Sequence, residues 1–519
     1  MTLPRVVPDH ATRLSDLIRE LGGATLEGDG SVEVTGVEHD SRRVERGDLF
    51  VARKGASADG AKYVQDARNR GAAAVIAARG SIAARDAGLP VVFVDDAAVG
   101  LARASAAVYG HPSFALEVVG VTGTNGKTTT THLLRTAIDA ARGKPSCGII
   151  GTVAHGFGAM TVTAEHTTPE ADDIQRLMLA MKRAGASHVA MEVSSIAIAA
   201  ARTAAVRFTV AALTNLTQDH LDYHGTMEAY AAAKEKLFLE YGPGTSVVCV
   251  DHAFGRSVFS RAIGPKLAVS ARPGTTADVV PVQLELSARG IEGVLRTPRG
   301  DLPFRSPLVG AHNVENLVVA IGCVHALALE IAPALEGLAT DRGAPGRLER
   351  CDDAGDDVSV LVDYAHTPDA LARVLDAVRA SGAKRIVCVF GCGGDRDAQK
   401  RGPMGEAVAT RADVAIVTSD NPRTESPEAI AAPIVDAVRA RLPLVVEADV
   451  GDARGYVVQL DRERAIDLAV RRAAPGDVVV VAGKGHEDYQ IVGTEKRRFD
   501  DREHARAALG RRRNERAGT

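Results

Sequence analysis

Short apolar runs rich in Val and Ile alternate along this chain with longer Ala-rich segments whose apolar residues recur every three to four positions. Runs of that length suit buried strands and the longer segments suit amphipathic helices. The alternation therefore predicts α/β domains built on largely parallel sheets. Predicted strands include 116–122, 188–191, 209–213, 358–362, 385–390, 414–417 and 478–482. Two Pro/Gly breaks, Gly110-His111-Pro112-Ser113 and Gly343-Ala344-Pro345-Gly346, interrupt the rhythm. They divide the chain into three expected domains: a smaller N-terminal α/β domain at 1–112, a central P-loop mononucleotide-binding domain at 113–345 and a C-terminal Rossmann-like α/β domain at 346–519.

The polar residues that interrupt this pattern gather at the ends of predicted strands. After 116–122 comes Gly123-Thr124-Asn125-Gly126-Lys127-Thr128-Thr129 and then a helical pattern. A glycine turn between strand and helix exposes backbone N–H groups to phosphate, Lys127 neutralises it, and Thr128 offers a hydroxyl to Mg²⁺. The spacing is a variant: the usual first glycine position is Val121, with Gly120 one residue too early. Other strand ends carry Glu192-Val193-Ser194-Ser195, Asp219-His220, Asp363-Tyr364-Ala365-His366, Gly393-Gly394-Asp395-Arg396, Asp420-Asn421-Pro422-Arg423 and Gly483-Lys484-Gly485-His486-Glu487. Open α/β sheets bind ligands at this carboxyl edge. Glu192 and His220 are candidate metal ligands by position, the lesser alternatives being an arginine partner for the glutamate and a capping or core role for the histidine.

Composition narrows the function classes. A chain of 519 residues exceeds one ordinary core. A net charge of −4, 4% aromatics and no Trp give neither a basic footprint nor stacking platforms for nucleic acid. The longest stretch free of Asp, Glu, Lys and Arg, 145–164, is rich in Gly and Thr and contains His155, so no membrane span is expected. The N-terminus lacks a signal-peptide core, and the six cysteines are dispersed without metal-type spacing, so a cytoplasmic protein is expected; a monomer is the default expectation, with no sequence feature indicating oligomeric state. The Arg-rich end, 506–516, reads as a solvated, frayed helix end. Neither a kinase constellation nor a G-x-S-x-G hydrolase elbow is present.

The loop 123–129, Glu192-Val193-Ser194-Ser195 and the run Thr214-Asn215-Leu216-Thr217-Gln218-Asp219-His220-Leu221-Asp222-Tyr223-His224-Gly225 together resemble the Mur ligases, ATP-dependent amide-forming enzymes of peptidoglycan synthesis. Gly310-Ala311-His312-Asn313-Val314-Glu315-Asn316, Gly346-Arg347-Leu348-Glu349 and Asp363-Tyr364-Ala365-His366-Thr367-Pro368 extend the likeness over nearly the whole chain. Asp40-Ser41-Arg42 followed by Gly47-Asp48-Leu49-Phe50-Val51-Ala52 resembles the member that adds the third peptide residue.

The resemblance implies ATP and Mg²⁺ as cofactors, with ATP at Gly123, Thr124, Asn125, Gly126, Lys127, Thr128, Thr129, Asn316 and Arg347. It implies a catalytic and metal-holding set of Lys127, Thr128, Glu192, His220 and Lys234, the last as a carbamate. It places a UDP-N-acetylmuramoyl-dipeptide on Ser41, Thr167, Thr168, Ser194 and Arg202. It also implies meso-diaminopimelate as the incoming amino acid, held by Arg396, Asp420, Asn421, Pro422, Arg423, Gly483 and Glu487. Arginines suit the second carboxylate of that molecule, whereas the bare ammonium of lysine would be repelled.

Three positions depart from the family pattern: Ile196 and Ala200 replace the usual His and Gln after the paired serines, and His166 replaces Asn before the paired threonines. The alternatives are an L-lysine-adding ligase, a folylpolyglutamate synthase, and a nucleotide-binding protein without ligase turnover.

Overall fold

A computed structural model of the chain describes residues 5–54, 59–81 and 88–517. They form two compact units, Met1–Val280 with Asn316–Ala334, and Pro281–Glu315 with Leu335–Thr519. The fold class is α/β, with parallel pairing dominant in each large sheet.

In the first unit a five-stranded sheet comprises β1 (Thr25–Glu27), β2 (Gly36–Glu38), β3 (Asp48–Ala52), β4 (Ala74–Ala78) and β5 (Val91–Val94) in the order β1-β5-β4-β3-β2. Only β1 runs antiparallel to its neighbour. An eight-stranded sheet follows, made of β6 (Glu117–Thr122), β7 (Cys147–Ile150), β8 (Ala154–Phe157), β9 (Met160–Thr163), β10 (His188–Glu192), β11 (Val210–Leu213), β12 (Thr245–Cys249) and β13 (Lys266–Val269). Its order is β9-β8-β7-β10-β6-β11-β12-β13, so β6 and β10 lie at the centre. Val118, Val119, Val121, Val189 and Met191 are fully buried there, as expected of parallel strands covered on both faces. Helix α1 (Lys127–Arg142) starts directly from the turn after β6, α2 (Ala171–Arg183) precedes β10, and α3 (Met227–Leu239) brings Leu237 and Phe238 into the core.

The second unit carries a three-stranded sheet, Val280–Ser287 (whose first residue belongs to the first unit), Gly290–Thr297 and Gly300–Ser306, and a six-stranded sheet. The larger one has Ser359–Asp363, Val478–Ala482, Ile386–Phe390, Val414–Val417 and Gly455–Val458 in parallel register, with Glu349–Arg350 antiparallel at one edge. All the strands expected from apolar runs form, within a residue or two of the expected ends.

The Arg-rich C-terminus differs from expectation. Asp501–Ala517 is a continuous helix, with Arg512 buried rather than solvated. The Arg512 guanidinium donates to Asp357 at 2.7–2.8 Å and to the carbonyls of Val470 and Ala473, while Arg513 meets Asp356 at 2.6 Å. The arginines answer an acidic turn about 150 residues earlier in the chain, a pairing that local charge patterning does not reveal.

Candidate functional site

The phosphate loop is built by backbone geometry. Gly123 and Gly126 have φ of 152° and 87°, a region that favours glycine. A Cβ at Gly123 would run into Thr214 Oγ1, and one at Gly126 into Asn316 Oδ1, so both neighbours pack directly on the loop. Asn316 Oδ1 also accepts from Thr130 Oγ1 at 3.2 Å. Thr124 Oγ1 lies 3.0 Å from Tyr230 Oη, and the Asn125 N–H donates to Asn215 Oδ1 at 3.0 Å. Thr129 is buried in the first turn of α1.

Both lysines of the expected set point at this loop. Lys127 Nζ donates to the carbonyls of Gly123 (2.9 Å) and Thr124 (3.0 Å), and Lys234 Nζ donates to the same Gly123 carbonyl at 2.9 Å. Lys234 is 1% exposed and lies 4.6 Å from the Tyr230 ring centroid. Burial, and then the charge of Lys127, push its pKa well below the ordinary lysine value, favouring a neutral amine.

Glu192, at the end of β10, is buried and fully occupied. Its Oε2 accepts from Thr128 Oγ1 (3.0 Å) and Thr152 Oγ1 (3.1 Å), and its Oε1 from the Thr152 N–H (2.7 Å). Thr128 and Glu192 thus form one patch of hard oxygen donors, the ligand type that Mg²⁺ takes. His220 has a left-handed backbone (φ 51°) and an exposed side chain, and it meets the group through the Tyr230 ring, 6.0 Å between centroids.

A second network continues from Glu192. Thr168 Oγ1 donates to the Glu192 carbonyl (2.8 Å) and accepts from the Ser194 N–H (3.0 Å); Thr167 Oγ1 lies 3.1 Å from Thr152 Oγ1. Arg202 donates to the Thr168 carbonyl at 3.0 Å and pairs with Glu170 at 2.7 Å. Ser41 is buried in the turn after β2, two residues beyond His39, whose Nδ1 lies 3.0 Å from both oxygens of Asp172 on α2. Where the family pattern has histidine, Ile196 lies in the short helix Ser195–Ala199, and Ser195 Oγ instead lies 2.9 Å from His224 Nε2.

In the second unit, loops at the carboxyl ends of four parallel strands enclose a cavity of about 500 Å³. Its lining includes Arg396, Asp420, Asn421, Arg423, Gly483 and Glu487, six of the seven residues expected to hold the incoming amino acid. The seventh, Pro422, turns the loop: a Cβ at Gly394 would run into its carbonyl. Arg423 also has a left-handed backbone (φ 51°), held by its N–H to the Ile491 carbonyl (3.1 Å), and its Nη1 donates to the Gly394 carbonyl at 2.8 Å. Arg396 is exposed at the rim, and burial raises the pKa of Asp420 above the ordinary carboxylate range. Arg347 stacks its guanidinium 5.0 Å from the Tyr364 ring centroid, and Tyr364 also lines the cavity. Of the two expected nucleotide-side residues, Asn316 therefore belongs to the first unit and Arg347 to the second.

Thr152, Lys484 and Tyr230 are neighbours that were not among the expected site residues. Thr152 follows the apolar Cys147–Ile150 and Lys484 the apolar Val478–Ala482, so the strand-end pattern that identified the other loops pointed at both. Tyr230, inside α3, had no such signal.

A phosphate loop on a central parallel strand of one unit and an arginine-bearing cavity in the other define a nucleotide-binding α/β protein with a second ligand site. Family models match the chain as the Mur ligase family catalytic domain over 33–109, the Mur ligase middle domain over 121–324 and the Mur ligase glutamate ligase domain over 346–485. The UDP-N-acetylmuramoyl-L-alanyl-D-glutamate--2,6-diaminopimelate ligase of Gloeobacter violaceus is 43% identical over 505 residues, 97% of this chain and 99% of that one. The protein of the same name from Geobacter metallireducens is 44% identical over 96% of this chain and 98% of its own. A solved structure of a ligase with this name matches at TM-score 0.72 and 30% identity, covering 97% of this chain and 100% of the other. The chain belongs to the Mur ligase family.

Proposed function

We propose that the protein is the cytoplasmic, ATP-dependent ligase that joins meso-diaminopimelate to the D-glutamate side-chain carboxylate of UDP-N-acetylmuramoyl-L-alanyl-D-glutamate in peptidoglycan synthesis. In this reading 1–112 binds the UDP end of the substrate, 113–345 binds ATP and 346–519 binds the amino acid. The observation that carries it is the cavity in which Arg396 and Arg423 share a lining with Glu487. Paired arginines and a carboxylate suit an amino-acid head, with its carboxylate and ammonium, better than a bare ammonium.

The substrate carboxylate attacks the γ-phosphorus of ATP, the bond to the β-phosphate oxygen breaks, and ADP leaves behind an acyl phosphate. The amine of diaminopimelate then attacks the acyl carbon, expels phosphate and loses a proton to give the amide. Carboxylate and triphosphate repel one another, so catalysis needs positive charge and oriented donors at the transferring group. Lys127 supplies that charge by exchanging its contacts with the loop carbonyls for phosphate oxygens. Thr128 and Glu192, with His220 and carbamylated Lys234, would hold Mg²⁺. When bound, the ion neutralises phosphate charge and orients the transferring group. CO₂ adds to the unprotonated amine, and the burial and Lys127 charge that lower the Lys234 pKa favour that form, which supports the carbamate assignment. Thr167, Thr168, Ser194 and Arg202 would orient the muramoyl-dipeptide carboxylate beside Glu192, with Ser41 on the UDP end.

Phosphate release in the presence of ATP, Mg²⁺ and the muramoyl-dipeptide tests the assignment. Release should require an added amino acid and favour meso-diaminopimelate over L-lysine. Equal or better turnover with L-lysine would make this the lysine-adding member, and no release under any condition would leave a nucleotide-binding protein.

A further inference from the structure

Lys484 lies outside the lining of the second unit's cavity yet is fully buried, with an exposure of 0%. A buried ammonium persists only when paired. Lys484 Nζ donates to Asn421 Oδ1 at 3.1 Å and to Glu487 Oε2 at 3.2 Å, and it lies 3.8 Å from Asp420 Oδ1. Asn421 Oδ1 takes a second donor, the Ile491 N–H at 2.9 Å. Two donors on one atom fix it as the amide oxygen, so Asn421 Nδ2 donates to Glu487 Oε2, at 3.1 Å. Among the described residues both side-chain donors to the glutamate converge on Oε2, and Oε1 is the oxygen left for a ligand.

The arrangement also sets the charge. By formal charge the lining balances, with Arg396, Lys400 and Arg423 against Asp397, Asp420 and Glu487. The buried Arg462–Asp501 pair nearby cancels itself, with 2.7 Å between Nη2 and Oδ2. Lys484 therefore adds one positive charge directly behind a lining that balances by formal charge. A ligand end bearing both a carboxylate and an ammonium tolerates that field; an ammonium alone does not.

We propose that Lys484 is a specificity-determining positioning residue: from behind the cavity it turns Asn421 and Glu487 toward the ligand and biases selection toward an amino acid whose far end carries a carboxylate as well as an ammonium. This role rests on the proposed ligase activity. Lys484 touches no substrate atom and acts through Asn421 and Glu487.

The test compares wild type, Lys484→Met and Lys484→Arg with meso-diaminopimelate and with L-lysine. In Lys484→Met the ratio of kcat/KM for meso-diaminopimelate over that for L-lysine should fall by about tenfold or more, the loss expected for a charge-assisted hydrogen bond. The fall should reside mainly in KM for diaminopimelate, leaving KM for ATP and for the muramoyl-dipeptide within about twofold of wild type. Lys484→Arg, which keeps the charge, should retain most of the wild-type ratio. If Lys484→Met does not accumulate as folded protein, Lys484→Gln, which keeps a donor but no charge, carries the same comparison. An unchanged ratio, or an equal loss for both amino acids that arginine does not restore, overturns the role of Lys484 alone. A wild-type protein inactive with meso-diaminopimelate overturns the ligase reading and this inference with it.

Discussion

The phosphate loop of the first unit and the cavity of the second are both built at strand ends, yet they meet their ligands differently. In the loop the two lysines are already engaged: Lys127 and Lys234 both donate to the Gly123 carbonyl, and Glu192 is occupied by Thr128 and Thr152. In the cavity the floor is fixed by Lys484, Asn421 and Glu487, while Arg396 stands exposed at the rim. On the proposed reading Lys127 exchanges internal partners for phosphate, and Arg423 gives up the Gly394 carbonyl, whereas the Asn421–Glu487 floor is held by Lys484 before a ligand arrives. A site that exchanges partners can place charge only when the reacting phosphate arrives, and a preformed site discriminates by shape and charge. The difference matches a division of labour between activating a carboxylate and selecting an amine.

The largest expected effect falls on the loop. Lys127→Ala should lower kcat for phosphate release by about a thousandfold, because it removes positive charge at the transferring group. Next is the cavity: Arg423→Ala should raise KM for meso-diaminopimelate by about a hundredfold, the scale of losing one side of a charge pair, with KM for ATP nearly unchanged. A loss of ATP affinity in Arg423→Ala would break the separation between the two regions. Lys234→Ala should lower kcat by about 10- to 100-fold. ¹³C NMR in ¹³C-bicarbonate should then show a carbamate signal in wild type that is absent from the variant.

The smallest effect concerns stability rather than chemistry. Burial opposes the charged ring of His39, but the Asp172 carboxylate outweighs it, and the His39 pKa lies above the ordinary 6.5. The contact thus stabilises the fold fully below that value and loses its effect as pH rises through the raised pKa. Wild type should exceed His39→Asn by about 1 kcal/mol in urea unfolding below pH 6.5, with the gap closing at higher pH.

The sheet strands and strand-end loops were legible in the sequence, because fully buried parallel strands appear as unbroken apolar runs and their polar ends stand out against them. The same contrast pointed to the loops that supply the cavity lining, and the Mur-ligase resemblance singled out six of its residues within them. What it could not supply was pairing across long separations. The arginines of Asp501–Ala517 looked solvated until Asp356 and Asp357 were placed beside them. Tyr230 lies within a helix whose apolar pattern barely distinguishes its faces, so its contacts with Thr124 and Lys234 arise only from the fold. Lys484 was visible between two glycines, but its burial behind Asn421 and Glu487 was not.

The division of labour is most directly tested by the half-reaction. With ATP, Mg²⁺ and the muramoyl-dipeptide but no amino acid, isotope exchange between ADP and ATP reports reversible formation of the acyl phosphate. Arg423→Ala should retain wild-type exchange while losing amide formation, and Lys127→Ala should lose both. Loss of exchange in Arg423→Ala would contradict the division.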